Sequence, residues 1–370
     1  MSGPSEYFIG LMSGTSMDGV DAVLADFAGG HPRVVGDAHR PYPPGLAPRL
    51  LALQAPGGDG DALDESLRLS LMLGALYADA VDAVLARCDM PATAIRAVGC
   101  HGQTVRHAPQ HGYTLQLNAP ALLAERCAID VVADFRSRDL AAGGQGAPLV
   151  PAVHAGLFAT SGESRVILNL GGIANLTRLD PARPVIGFDT GPANMLLDAW
   201  CQRHTGRSYD QNGDWAASGR VDGALLQWLL ADPYFAAPAP KSTGRDLFSP
   251  GWLDARLSGT EAPADVQATL AELTAASVAD AILACSPDVD AVFVCGGGAF
   301  NRDLMDRLAR RLTPRVRLEH TGRLGVPPQQ VEALAFAWLA RACLRREPGN
   351  LPGVTGAAGP RVLGAIYPAM

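Results

Sequence analysis

The stretch that most constrains the fold is residues 8–27, where two apolar, strand-like runs, 8–12 and 20–27, flank a polar loop at 13–19. The flanks predict a β-hairpin. The loop is too long and too hydroxyl-rich for a two-residue turn. Gly14 and Gly19 let the backbone fold inward, while Thr15 and Ser16 add hydroxyls. Successive N–H groups in such a loop line a concave nest for an anion, with phosphate the natural guest. From the loop alone, an ordinary hairpin with a Ser/Gly turn reads equally well.

At 370 residues the chain is long enough for a large core, and its length suggests two domains. The net charge of −7 argues against a nucleic-acid partner, which selects a basic excess. The seven cysteines are odd in number and contain no C-x-x-C pair. That disfavours a disulfide framework and a thiolate zinc site, and a reducing cytoplasm is the simplest location. The opening residues lack a basic segment followed by an apolar one. No uninterrupted apolar run approaches the roughly 18 residues of a membrane span, so no membrane role is expected.

Along the chain, polar residues recur where apolar strands end, the usual address of ligand contacts in α/β folds. A strand at 95–100 runs into His101 and Gln103, and one at 129–135 runs into Arg136. His101, His107 and His111 lie in a Pro/Gly-containing loop without a nearby carboxylate, a poor metal set. The second half then opens as the first does: residues 166–177 read strand, small-residue turn (Gly171, Gly172), strand, with Asn175 in the second strand. A strand at 184–188 delivers Asp189, Gly191 and a helix to about 204, with Pro192 suited to its first turn. Asp189 reads either as a helix N-cap or as a general base at a strand-to-helix mouth.

Lys241, the only lysine, begins Lys241-Ser-Thr-Gly-Arg245. This is not a Walker A loop, because the Gly-x-x-x-x-Gly-Lys frame is absent. A helix is expected over 263–285, then a strand at 291–295 and Gly296, Gly297 and Gly298, where a backbone can approach a base or phosphate closely. Asn301 is placed to cap the next helix. Glu332 falls in the first turn of an almost wholly apolar helix, 327–345. The Gly/Pro-rich tail holds one short apolar run, 362–366, which reads as a sheet edge.

Several strings also resemble the anhydro-N-acetylmuramic acid kinase family. They are MSGTSMDGVD (12–21), HGQTV (101–105), ADFR (133–136), GGQGAPLVP (143–151), GFDTGPAN (187–194) and the triple-glycine segment, in order along the chain. The resemblance implies an α/β, two-domain actin/hexokinase-like fold, a duplicated ribonuclease H-like plan with a cleft between the domains. It places 1–135 and the returning segment 346–370 in the first domain and 136–345 in the second. It implies ATP contacts from Gly14, Thr15, Ser16, Met17, Asp18, Gly19, Val20 and Asp21, from Gly171, Gly172 and Asn175, from Gly191, and from Gly296, Gly297, Gly298 and Asn301. Asp18 is the expected carboxylate near Mg²⁺, directly or through water. Asp189 is the implied catalytic base, and His101, Gln103, Arg136 and Glu332 the implied substrate contacts. The implied reaction opens a 1,6-anhydro amino sugar with water and phosphorylates O6 from ATP, in a homodimer. One departure from the family pattern is Asn118-Ala119 before Pro120, where Asn118 is able to take positive φ. The alternatives are a non-catalytic ATP-binding module of the same fold and a kinase of a different sugar. A Rossmann dehydrogenase is disfavoured, because Gly-x-Gly-x-x-Gly is missing after the first strand.

Overall fold

The hairpin forms as its alternation dictates: β1 (Tyr7–Met12) and β2 (Gly19–Asp26) run antiparallel with Met12 opposite Asp21. β3 (Arg33–Pro41) adds antiparallel to β2, and β4 (Ile95–Cys100) lies parallel to β1. A separate ribbon pairs β5 (Gln103–Ala108) with β6 (Tyr113–Leu117). β7 (Val131–Ala133) follows parallel to β4. The computed structural model describes residues 6–14, 17–29, 31–54, 60–312 and 314–369.

The second sheet repeats the first. β8 (Arg165–Leu170), β9 (Ile173–Leu179) and β10 (Ile186–Pro192) form an antiparallel meander. β11 (Ala291–Cys295) pairs parallel to β8, and β12 (Arg317–His320) parallel to β11. Last comes β13 (Ala365–Tyr367), antiparallel to β7. The orders are β13-β7-β4-β1-β2-β3 and β10-β9-β8-β11-β12. Counting only the strands of each sheet, both read third, second, first, fourth, fifth, with β13 added at one edge. This is the duplicated ribonuclease H-like plan of actin/hexokinase-like proteins.

Each sheet carries its own core. Ile9, Leu11, Leu24 and Val98 pack with Leu69, Leu73 and Tyr77 of the helix Ala62–Arg87, which Asp61 caps by accepting from the N–H groups of Leu63 and Asp64. In the second half, Val166, Leu168, Val292 and Val294 pack with Val278 and Ile282 of the helix Pro263–Cys285. These two helices are long and apolar enough to cross a membrane, but 50% and 67% of their most apolar windows are buried in the protein. They are core helices.

The chain divides into Met1–Leu157 with Gln330–Met370, and Phe158–Gln329. The expected boundaries at 135/136 and 345/346 therefore differ from those observed. The helix Val331–Leu344 returns to the first sheet, because two mid-strand glycines let its backbone lie against the strands. A Cβ at Gly10 would stand 2.6 Å from the Ala337 nitrogen and overlap the Ala333 carbonyl, and one at Gly99 would overlap the Phe336 carbonyl. Other differences are local. The strand expected at 129–135 is ordered as β7 over three residues only. Pro192 ends β10 instead of starting a helix, because a bulge around Thr190 keeps the chain extended until Asn194. The tail strand pairs at the sheet edge, as expected.

Candidate active site

Four polar residues converge at the end of β4 in the first unit. His101 is buried, with its ring on Phe336 of the returning helix, 4.6 Å between centroids. Arg136 follows the end of β7, where the chain turns. Its Nε and Nη2 lie 3.1 and 2.9 Å from His101 Nε2, and its Nη1 donates to the Gly146 carbonyl at 2.8 Å. An arginine only donates, so His101 Nε2 accepts and the ring carries its proton on Nδ1. Nδ1 has no hydrogen-bond partner among the described residues. Burial, then the Arg136 charge, holds His101 well below its usual pKa, so it is neutral. Arg136 itself is pushed down to about 10 by burial, opposed by the carboxylates of Glu332 and Asp139. It remains a cation at neutral pH. Gln103, buried beside His101, accepts from the Tyr42 hydroxyl at 2.8 Å.

The loop between β1 and β2 is described on both sides of Thr15 and Ser16, which lie outside the described residues. Met17 takes positive φ (54°) and its N–H reaches the Gly14 carbonyl at 3.3 Å. The Asp18 carbonyl accepts from Tyr42 N–H at 2.9 Å. Gly19 is needed for close approach, because a Cβ there would press on the Arg40 backbone and the His39 ring. Of the expected ATP contacts that follow, Val20 is fully buried in the core and Asp21 meets His39 at 2.8 Å. Asn118 does not take positive φ. It sits instead against Gly102, whose own φ is +81° and where a Cβ would come within 2.7 Å of the Asn118 amide.

In the second unit, the Gly171–Gly172 turn feeds the start of the helix Asn194–Thr205. The Gly171 carbonyl accepts from Asn194 N–H and the Gly172 carbonyl from Ala193 and Met195 N–H. The triple glycine packs directly on this turn's entry strand: a Cβ at Gly296 would overlap Asn169 Oδ1, and one at Gly298 would stand 2.6 Å from Leu170 Cβ. Gly297 meets Asn194 only at ordinary contact distance. Asn301 caps the helix Arg302–Arg311, accepting from Leu304 N–H at 3.0 Å.

Asp189 lies on β10 opposite Asn175. The helix cap position is Ala193, so capping does not account for this carboxylate. Burial pushes its pKa up to about 6, against a Thr243 N–H that donates to Oδ2 at 3.0 Å and favours the charged form. A group poised near neutrality is suited to taking a proton.

A model of the anhydro-N-acetylmuramic acid kinases matches residues 6–369. The chain is a member of that family. It is 59% identical to the anhydro-N-acetylmuramic acid kinase of Bordetella petrii, covering 100% of this chain and 98% of that one. It is 55% identical to that of Cupriavidus metallidurans, covering 98% of each. Among solved structures it is similar to the Acidaminococcus fermentans (R)-2-hydroxyglutaryl-CoA dehydratase component A, at 13% identity and TM-score 0.48 over 90% of this chain and 96% of that one.

For a member of the anhydro-N-acetylmuramic acid kinases, sequence reasoning missed the residues that hold these groups in place. Tyr42 on Gln103, Gly146 on Arg136, and Tyr234 and Thr243 on Asp189 are all distant in sequence from what they touch. One signal was available: Tyr42 directly follows the third strand.

Proposed function

We propose that this chain is an ATP-dependent kinase that opens 1,6-anhydro-N-acetylmuramic acid with water and phosphorylates O6, yielding N-acetylmuramic acid 6-phosphate and ADP in peptidoglycan recycling. The observation that carries this reading is a lone, desolvated carboxylate, Asp189, on a strand beside a glycine turn, in a chain that matches the family from end to end.

Asp189 accepts a proton from water as the water's oxygen bonds to C1 of the sugar. The C1–O6 bond breaks, O6 bonds to the γ-phosphorus of ATP, and the γ-phosphorus–oxygen bond to ADP breaks. Arg136 pairs with the lactyl carboxylate, for which a guanidinium fork is the best match. His101 Nδ1–H, Gln103 and Glu332 orient hydroxyl, acetamido and water groups. Backbone amides of the 14–21, 171–175 and 296–298 segments, with Gly191, serve the nucleotide. Asn301 contributes by fixing the helix after the triple glycine.

Among the described residues no group of three His, Cys, Asp or Glu is placed to hold a metal ion. Mg²⁺ keeps waters and binds phosphate oxygens with one or two carboxylates. Asp18 is the candidate, and the ion would neutralise phosphate charge during transfer. All seven cysteines are free thiols, which accords with a cytoplasmic location. A homodimer is proposed on the family resemblance alone.

Incubation with ATP, Mg²⁺ and the anhydro sugar in ¹⁸O water tests the reading. Label at C1 of a 6-phosphorylated product is expected. A phosphorylated product that retains the anhydro bridge, with its phosphate on another oxygen, or no sugar phosphate at all, refutes it.

A further inference from the structure

Apart from the Thr243 N–H bond to Asp189, the Lys241-Ser-Thr-Gly-Arg245 string has no role in the reading above. Its lysine is not aimed at a phosphate. Lys241 Nζ donates to the carbonyls of Tyr234 and Phe235 at 2.8 and 3.0 Å, and lies 4.6 Å from the centre of the Tyr234 ring. Those carbonyls belong to the four-residue helix Pro233–Ala236, so the ammonium sits where a cation is favoured, at a helix C-terminus. The helix start is tied separately: Asp232 accepts from Tyr234 N–H at 3.0 Å, and from Trp252 Nε1 and Arg256 Nη2 at 2.9 and 3.0 Å.

This clamped segment closes on Asp189 at three points. The Tyr234 hydroxyl donates to the Asp189 carbonyl at 2.6 Å. Asp189 N–H donates to the Lys241 carbonyl at 3.0 Å. Thr243 N–H donates to Asp189 Oδ2 at 3.0 Å. Gly191 makes room, since a Cβ there would stand 2.8 Å from the Phe235 ring. Both backbone groups and one side-chain oxygen of the carboxylate residue are therefore fixed by residues 234–243, and the described contacts leave Oδ1 to receive a proton.

We infer that Lys241 and Tyr234 are positioning residues for Asp189, locking the 234–243 segment so that the carboxylate presents one oxygen in a fixed direction. The inference rests on the reading of Asp189 as the general base. Two of these bonds place the backbone and one holds a carboxylate oxygen, and small misplacements of a base carry large rate costs.

The test uses Lys241→Met, Lys241→Arg and Tyr234→Phe, each alone and with Asp189→Asn. Tyr234→Phe removes one oxygen and is expected to lower kcat about 5- to 10-fold, the scale of one hydrogen bond. Lys241→Met should lower it about 10- to 100-fold, and Lys241→Arg should recover part of the loss, with the KM for ATP within about threefold throughout. In the Asp189→Asn background neither change should lower the residual rate further, because residues acting as a unit are not additive. An unchanged kcat in the single variants, or equal fold-losses with and without Asp189, overturns the inference.

A second measurement does not require turnover. In protein carrying ¹³C-carboxyl aspartate, with Asp189→Asn assigning the resonance, Lys241→Met should raise the Asp189 titration midpoint, because loss of the Thr243 N–H bond removes support for the charged form. Tyr234 and Lys241 are the titratable groups that the described contacts place around it. An unmoved midpoint in the Lys241→Met protein overturns the inference by itself. Absence of sugar turnover in the unmodified protein instead overturns the proposed function and leaves the titration to decide this point.

Discussion

Arg136 donates to His101 Nε2 from two of its nitrogens, at 3.1 and 2.9 Å, and so fixes the imidazole as a neutral ring with its hydrogen on the far nitrogen. One guanidinium thus sets both a positive charge and the direction of a neighbouring donor. Lysine supplies the charge without the fork. Arg136→Lys is expected to lower kcat/KM for the anhydro sugar about 10- to 100-fold, the range of a lost charge-assisted hydrogen bond, while the KM for ATP stays within about threefold. Steady-state kinetics with each substrate varied in turn separates the two constants.

Asp189 must be ionised to accept a proton, and its pKa is raised to about 6. Activity should therefore fall as pH drops through about 6 and level off above it. Asp189→Asn removes the proposed base, for which a loss of about 10²–10⁴ in kcat is expected, with ATP affinity by calorimetry nearly unchanged. Survival of turnover within a few-fold would reassign the base.

Asp198, on the helix Asn194–Thr205, is pushed up to about 7 by burial and by the nearby Asp210, itself held by the N–H groups of Trp215 and Ala216. The folded protein keeps a proton there that the unfolded chain releases near pH 4. Stability is therefore lost as pH rises from about 4 to about 7, and the full penalty stands above that. Asp198→Asn should raise Tm by a few degrees at pH 8, at about 2–4 °C per kcal/mol, and by little at pH 4. Melting curves at the two pH values give the comparison; an equal shift at both would assign the gain to something other than charge.

Gly10→Ala should be far more costly than a usual mid-strand change, which favours alanine. The added methyl meets the backbone of Ala333 and Ala337, so either the helix or the strand must move. A loss of about 3 kcal/mol or more is expected, at the upper end for overpacking. Any folded fraction should also show a raised KM for the sugar, because the same helix carries Glu332 and Phe336. Urea denaturation and kinetics on the soluble fraction measure the two effects.

The glycine loops and the strands around them were readable because their signals are local. The apolar runs at 8–12 and 20–27 and the repeat at 166–177 needed nothing beyond neighbouring residues to specify hairpins, and the duplicated strand order follows from them. The polar residues after strands were legible for the same reason: His101 and Arg136 stand where ordered backbone ends. What could not be read were the partners. Tyr42 reaches Gln103 across 61 positions, and Tyr234 reaches Asp189 across 45. No periodicity encodes such contacts. The assignment of Glu332's helix to the first unit was also missed, although Gly10 and Gly99, small residues inside otherwise apolar strands, were its trace. Pro192 misled because its fixed φ suits an extended strand as well as a helix start.

The first unit is discontinuous in sequence, with its central strands near one end of the chain and the helix Val331–Leu344 and edge strand Ala365–Tyr367 near the other. During synthesis, at roughly 5–20 residues per second, the strands that open the polypeptide emerge long before the segments that cover them. The intervening unit, Phe158–Gln329, has all its own strands in hand earlier. The portion made first is thus completed only after the intervening unit has emerged, and its sheet face stays uncovered in the meantime.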